Sequence, residues 1–191
     1  DDVQVAAIAA RDRNRAAAFA AKHGIATVHD SYDALLADPA IDAIYNPLPN
    51  GLHGRWTIAA LRAGKHVLCE KPFTANADEA ESVAEVARTT GLVVMEAFHY
   101  RYHGLTARIL DILASGELGE VHHLDTWLCF PLPVADIRWQ LDLAGGALMD
   151  AGCYAVHLLR TLGGAEPVVR SAKAKLKSPG VDRYLRAELD F

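Results

Sequence analysis

Short apolar runs alternate with amphipathic stretches along the first hundred residues. Val3 to Ala10 reads as a buried strand, and the Ala-rich stretch Arg13 to His23 has helical spacing and stops at Gly24. A short strand over Ala26–His29 precedes a helix that starts at Ser31 or Tyr32 and runs through Leu36, where Asp38-Pro39 ends it. Ile41 to Tyr45 forms the next strand and runs into the loop Asn46-Pro47-Leu48-Pro49-Asn50-Gly51. A helix over His53–Ala63 closes at Gly64. His66 to Cys69 is a strand, Asn76 caps a periodic helix to Thr89 closed by Gly91, and Leu92 to Glu96 is a further strand. Short apolar strands alternating with amphipathic helices predict a parallel sheet with helices on both faces.

The rhythm changes near Tyr102. A helix over Leu105–Ser115 leads to a longer β pattern, Val121 to Phe130, then to a Pro-containing stretch, Gly145-Gly146 and a helix from about Ala147 to Leu162. Val168–Lys177 and Arg183–Phe191 read as two antiparallel strands. The expected organisation is an α/β unit over 1–100 and an α+β unit over 101–191. The second unit should hold a mainly antiparallel sheet covered by the helices near 105–115 and 147–162.

Composition narrows the function classes. The 191 residues carry 24 acidic and 19 basic side chains, a formal charge of −5, with no Lys/Arg block. The charge footprint of a nucleic-acid binder is missing, and the apolar runs are too short to span a bilayer. Cys69, Cys129 and Cys153 are an odd set without CxxC spacing, which argues against a disulfide framework or structural zinc and for a reducing cytoplasm. No metal site is expected. Both ends read as interrupted: Asp1 stands where Met would, and the alternation from Tyr184 stops at Phe191.

Candidate chemistry falls at strand ends, where open parallel sheets bind ligands. After the first strand come Arg11 and Asp12. An Arg there suits the 2′-phosphate of NADP, an acidic residue the free 2′-hydroxyl of NAD, and a solvated charge pair at a helix start is the plain alternative. The loop Pro47–His53 is rigid, Asn50 can cap the next helix, and its N–H groups suit a ribose or pyrophosphate, although a Pro-rich turn needs no ligand. Lys71 follows an apolar strand within Glu70-Lys71-Pro72, where Pro72 can adopt cis. Further on, Asp150, Tyr154 and His157 are spaced i, i+4, i+7 in an otherwise apolar helix and share one face, with Gly152 open to the approach of another backbone. A core Tyr with a capping Asp gives the same spacing.

Four motifs in order carry a resemblance. Pro49-Asn50-Gly51-Leu52-His53, Glu70-Lys71-Pro72, Met95–His103 and Gly145–Tyr154 resemble the glucose–fructose oxidoreductase / inositol dehydrogenase family. Tyr at 154 and the stretch from Met95 to Tyr102 are most similar to its dihydrodiol and xylose dehydrogenase-like subgroup. The resemblance implies a Rossmann-like parallel sheet, here without its first strand and Gly-rich turn, followed by a substrate sheet that is incomplete. It implies NADP or NAD held by Arg11, Pro49, Asn50, His53, Glu70 and Lys71. It places Lys71, Tyr100, Arg101, Asp150 and His157 beside a sugar or polyol substrate, with a packed helix histidine as the other reading of His157. Lys71, Asp150 and Tyr154 are then the catalytic set. Tyr154 would exchange a proton with the substrate carbinol or carbonyl, and Lys71 would lower its pKa. A homodimer or higher homo-oligomer follows from the same resemblance. A non-catalytic sugar- or nucleotide-binding protein with the same fold is the alternative.

Overall fold

The computed structural model describes residues 3–191. In the first half, strands β1 (Ala7–Ala9), β2 (Thr27–His29), β3 (Ala43–Asn46), β4 (His66–Cys69) and β5 (Val94–Glu96) alternate with helices α1 (Arg13–His23), α2 (Tyr32–Ala37), α3 (His53–Arg62) and α4 (Ala77–Thr90). The expected caps are in place: Ser31 accepts from the Ala34 N–H and Asn76 from the Glu79 N–H. Gly24 and Gly91 end their helices in the left-handed conformation.

All pairings here are parallel, but the ladder comes in two pieces, β1–β2 and β3–β4–β5. The core lies beneath β4, where Ala60, Leu61, Val67, Cys69 and Val83 are buried together with Leu36. Trp56 and Phe73 pack against them. The buried first strand expected over 3–10 is corrected on both counts. Only Ala7–Ala9 pair, because β2 offers three residues, and Val3 and Val5 are exposed.

The second half holds α5 (Gly104–Ser115), α6 (Cys153–Gly163) and the antiparallel hairpin β6 (Val168–Ser178) and β7 (Val181–Asp190). Residues 121–130 form no strand. Alternation alone makes no ladder, and among the described residues no neighbour takes up their backbone groups. The expected helical cover is also partial. The first turn before α6 meets β7 where the Leu148 N–H donates to Asp182, and Phe191 lies against Gly163, yet β6 is exposed along its whole length.

The helix expected from Ala147 to Leu162 is two pieces. Leu148–Gly152 form a π-helical turn, and α6 continues from it. Gly152 does not admit a second backbone; a Cβ there would lie 2.9 Å from Leu148 Cδ1, so the glycine makes room for a side chain of its own turn. Gly145 and Gly146 are required by close approach. A Cβ on Gly145 would collide with the Arg138 carbonyl oxygen, and Gly146 has φ 124° and donates its N–H to that same oxygen.

Candidate active site

Lys71 is delivered by β4, which ends at Cys69 in the core, so the two following residues emerge at the carboxyl edge of the sheet. The Lys71–Pro72 peptide is cis. The Lys71 N–H donates to the Glu70 carboxylate at 3.1 Å, and Glu70 accepts from the Tyr45 hydroxyl at 2.7 Å. Two residues on, the Phe73 N–H donates to Glu96 at the end of β5. Burial raises the Glu96 pKa, and this N–H opposes the shift.

The second half reaches the same place through the π turn. Lys71 Nζ donates to the Asp150 carbonyl oxygen at 2.6 Å, lies 3.6 Å from Asp150 Oδ1, and sits 5.2 Å from the centre of the Tyr154 ring. Asp150 is 8% exposed. A buried carboxylate requires compensation, and here a second cation joins Lys71: Arg138 Nε donates to Asp150 Oδ1 at 3.0 Å, while its Nη1 pairs with Asp136. Lys71, Asp150 and Tyr154 therefore converge, although they come from opposite halves.

Tyr154 stands edge-on to Phe98 at 5.3 Å between ring centres. Phe98 also stacks on His157 at 4.0 Å, and the Tyr100 hydroxyl bonds His157 Nδ1. His157 is thus packed between aromatic rings, and burial first, then Arg101 and Arg160, lowers its pKa. Tyr100 and Arg101 lie beside this cluster rather than against Lys71.

The expectation that Lys71 lowers the Tyr154 pKa is corrected. The pKa is raised, first by burial and then by the negative charge of Glu70, by Cys153 and by Asp150. The ammonium lies over the ring face and gives a hydrogen bond to the Asp150 carbonyl, and burial together with the acidic neighbours sets the direction. Tyr154 is held as a neutral phenol.

The cofactor candidates separate. Asp12 is the N-cap of α1, accepting from the Asn14 and Arg15 N–H groups, so its carboxylate is engaged. Arg11 beside it is exposed and makes no ion pair among the described residues. Pro49, Asn50, Glu70, Lys71, Arg138 and Asp150 line a cleft of about 290 Å³ at the carboxyl ends of β3 and β4. Asn50 does not cap α3; its side-chain amide instead donates to the Ala144 carbonyl at 3.1 Å and ties the loop to the second half. His53 is corrected as a direct cofactor contact. It is 0% exposed, and its ring nitrogens lie against the Leu48 and Pro72 carbonyls. Arg138 escaped the sequence reading because a lone Arg in a Pro-containing loop has no periodicity to betray it. Only the glycines that let its backbone approach hinted at that contact.

An α/β sheet with a cleft at its carboxyl edge thus has a Lys, an Asp and a Tyr meeting beside it, and comparison with known families gives the class. Residues 1–98 match the oxidoreductase family with an NAD-binding Rossmann fold, and residues 106–191 match the GFO/IDH/MocA C-terminal domain. The chain belongs to the GFO/IDH/MocA family.

It is 47% identical over 190 residues to D-xylose 1-dehydrogenase (NADP(+)) 2 of Haloferax volcanii, covering 98% of this chain and 58% of that protein. It is 33% identical over 191 residues to trans-1,2-dihydrobenzene-1,2-diol dehydrogenase of Xenopus laevis, covering 100% of this chain and 58% of that one. The structure superposes on a 3-ketoreductase from Actinomadura kijaniata in complex with NADP and TDP-benzene with a TM-score of 0.86 at 36% identity, over 97% of this chain and 57% of that one. The same ketoreductase has been solved with a lysine replaced by alanine or glutamate and with a tyrosine replaced by phenylalanine. The chain thus spans under three-fifths of the length of these relatives. No helix among the described residues is long and apolar enough to cross a membrane.

Proposed function

We propose that this chain carries the proton-transfer site of an NAD(P)-dependent oxidoreductase that interconverts a carbinol and a carbonyl on a sugar, polyol or diol. The observation that carries the reading is the meeting of Lys71, which lines a cleft on the sheet's carboxyl edge, with Tyr154 from the other half. The residues present fit the cofactor. Arg11 follows β1, where a 2′-phosphate would lie, and makes no ion pair among the described residues, while Asp12 is withdrawn into its cap, and this favours NADP. Pro49, Asn50 and Glu70 would hold the ribose side of the cleft. When bound, the nicotinamide supplies or takes the hydride.

The chain's own residues handle the proton. Tyr154, kept neutral by burial and its acidic neighbours, donates its phenolic proton to the oxygen of a carbonyl being reduced. The Lys71 ammonium gives one hydrogen bond to Asp150, which leaves two donors for that oxygen and for the tyrosinate formed. Asp150 and Arg138 fix Lys71 and leave polar edges facing the cleft for substrate hydroxyls. Phe98 seats the Tyr154 ring, and Tyr100, Arg101 and His157 flank the substrate side. In oxidation the same steps run backwards.

The wider setting belongs to the same proposal. A homo-oligomer accounts for the exposed Val168, Leu176 and Tyr184 of the hairpin, and three free cysteines suit a reducing cytoplasm. The net charge of −5 speaks against a nucleic-acid partner.

The test is hydride transfer by the full-length enzyme with an aldose or its carbonyl product, NADP and NAD being compared. Tyr154→Phe should lower kcat by ~10²–10⁴-fold, the usual scale of general acid–base catalysis, and leave cofactor affinity unchanged. Cofactor binding without any turnover of carbinol or carbonyl would favour the non-catalytic binding protein.

A further inference from the structure

The helical run that carries Asp150 and Tyr154 has no cap of its own. Its first turn closes where the Asp150 N–H donates to the Gly146 carbonyl at 2.9 Å. Gly146 therefore stands where a helix usually supplies a capping side chain, and it has none. The Leu148 N–H, two residues on, is a first-turn donor that no carbonyl of the run can reach. Asp182 of β7 meets it: the Leu148 N–H donates to Asp182 Oδ2 at 3.0 Å. A Cβ on Gly146 would collide with Asp182 Oδ1, so the glycine is what admits the carboxylate. A negative charge at this end also complements the helix dipole.

The hairpin is shaped for this contact. Asp182 pairs with Leu176, and the ladder shifts register on both sides of that pair. Such irregularities re-aim side chains. The same end of the hairpin grips the loop that precedes the helical run. Lys177 Nζ lies 4.3 Å from the centre of the Trp139 ring and donates to the Val134 carbonyl at 3.0 Å. A Cβ on Gly180 would lie 3.1 Å from Leu141 Cδ1, and Val181 beside it is 1% exposed. Ile137, Arg138 and Leu143 of that loop line the cleft.

We infer that Asp182 is a positioning residue. It caps the Leu148–Gly152 turn from the sheet and thereby sets Asp150, whose carbonyl and carboxylate hold Lys71. The cap stands on geometry; its effect on turnover rests on the proposed function.

Amide hydrogen exchange in the full-length wild-type protein tests the cap without any substitution. The Leu148 amide should be protected, although a first-turn donor with no partner would exchange freely. Free exchange there would overturn the cap. Asp182→Ala should raise exchange at Leu148 by about tenfold or more, the scale of one capping bond, and Asp182→Asn, which keeps an acceptor oxygen, should restore most of the protection. The carboxyl carbon-13 resonance of Asp150 should shift in Asp182→Ala and return towards its wild-type position in Asp182→Asn. A resonance unmoved in Asp182→Ala would show that the cap does not reach the site and would overturn the inference. These readouts need no turnover, so they decide the cap even where the proposed function fails. In turnover, Asp182→Ala should lower kcat about tenfold with the cofactor KM unchanged. Arg170→Ala, which breaks the ion pair with Asp190 at the other end of the hairpin, should change neither. Equal losses of kcat in the two variants would reduce the effect to a general loosening of the hairpin and count against Asp182.

Discussion

The two halves of the molecule are held in different ways. Around β4, the side chains of Ala60, Leu61, Cys69 and Val83 are 0–1% exposed, whereas in the β6–β7 hairpin only Val181 is buried to that degree. Parallel strands with helices packed on them bury apolar residues from both sides, while a hairpin with one strand open to solvent alternates without a core. The contrast shows where precision at the site comes from. Lys71 is placed by packing, because the strand behind it is locked in the core. Asp150 and Tyr154 are placed by polar and aromatic ties to the first half: the Lys71 bond to Asp150, the Asn50 bond to Ala144, and the contact of Phe98 with Tyr154. The candidate site is itself a principal joint between the halves.

Stability measurements sharpen the contrast most strongly. Leu61→Ala should cost ~2–5 kcal/mol through the cavity it leaves. Lys173→Ala on the exposed β6 should change stability by less than about 0.5 kcal/mol, as for other surface substitutions. Chemical denaturation of both variants decides it, and equal losses would show that the hairpin has a core of its own.

A smaller effect tests the polar joint. Arg138→Leu removes one of the two cations at Asp150 and frees its Oδ1, now 3.6 Å from Lys71 Nζ, to close on the ammonium. Turnover should fall about 10- to 100-fold, the scale of a hydrogen bond to a charged group, with the melting temperature little changed. Arg138→Lys should restore part of the loss. A variant that melts early but turns over normally would make Arg138 structural only.

The smallest effect is one of pH. Burial lowers the folded-state pKa of His157, so the unfolded chain binds the proton more readily than the folded one. The stability this contributes is complete above the unfolded value of ~6.5 and is lost as pH falls through that value towards the folded one. The melting temperature should drop on mild acidification, and His157→Phe should flatten that drop. An unchanged slope in the variant would assign the acid sensitivity to other groups.

Much of the first half was legible because local rules govern it. Ser31, Asn76, Gly24 and Gly91 are placed by capping chemistry, and the limits of β4 follow from an apolar run between Gly64 and Glu70-Lys71-Pro72. Lys71, Asp150 and Tyr154 were legible through their motifs. What stayed hidden depends on partners far along the chain. The alternation of Val121–Phe130 promises a strand, but a ladder needs a neighbour. The π turn at Leu148–Gly152 follows Gly145 and Gly146, which the Arg138 carbonyl approaches closely, and spacing alone does not reveal it. The direction of the Tyr154 shift is set first by burial and then by Glu70, Cys153 and Asp150, surroundings that only the packing of the two halves creates. His53 carried the right motif, yet its burial sets the ring against the Leu48 and Pro72 carbonyls and leaves it no exposed surface.

The central claim is that Lys71 and Tyr154, brought from the two halves, act as one unit. The most direct measurement is a double-mutant cycle on kcat in the full-length enzyme with Lys71→Met, Tyr154→Phe and both together. Residues that serve a single proton transfer are strongly non-additive. The double variant should therefore lose no more than the worse single variant. Losses that multiply across the cycle would contradict the account and assign the two residues to separate tasks.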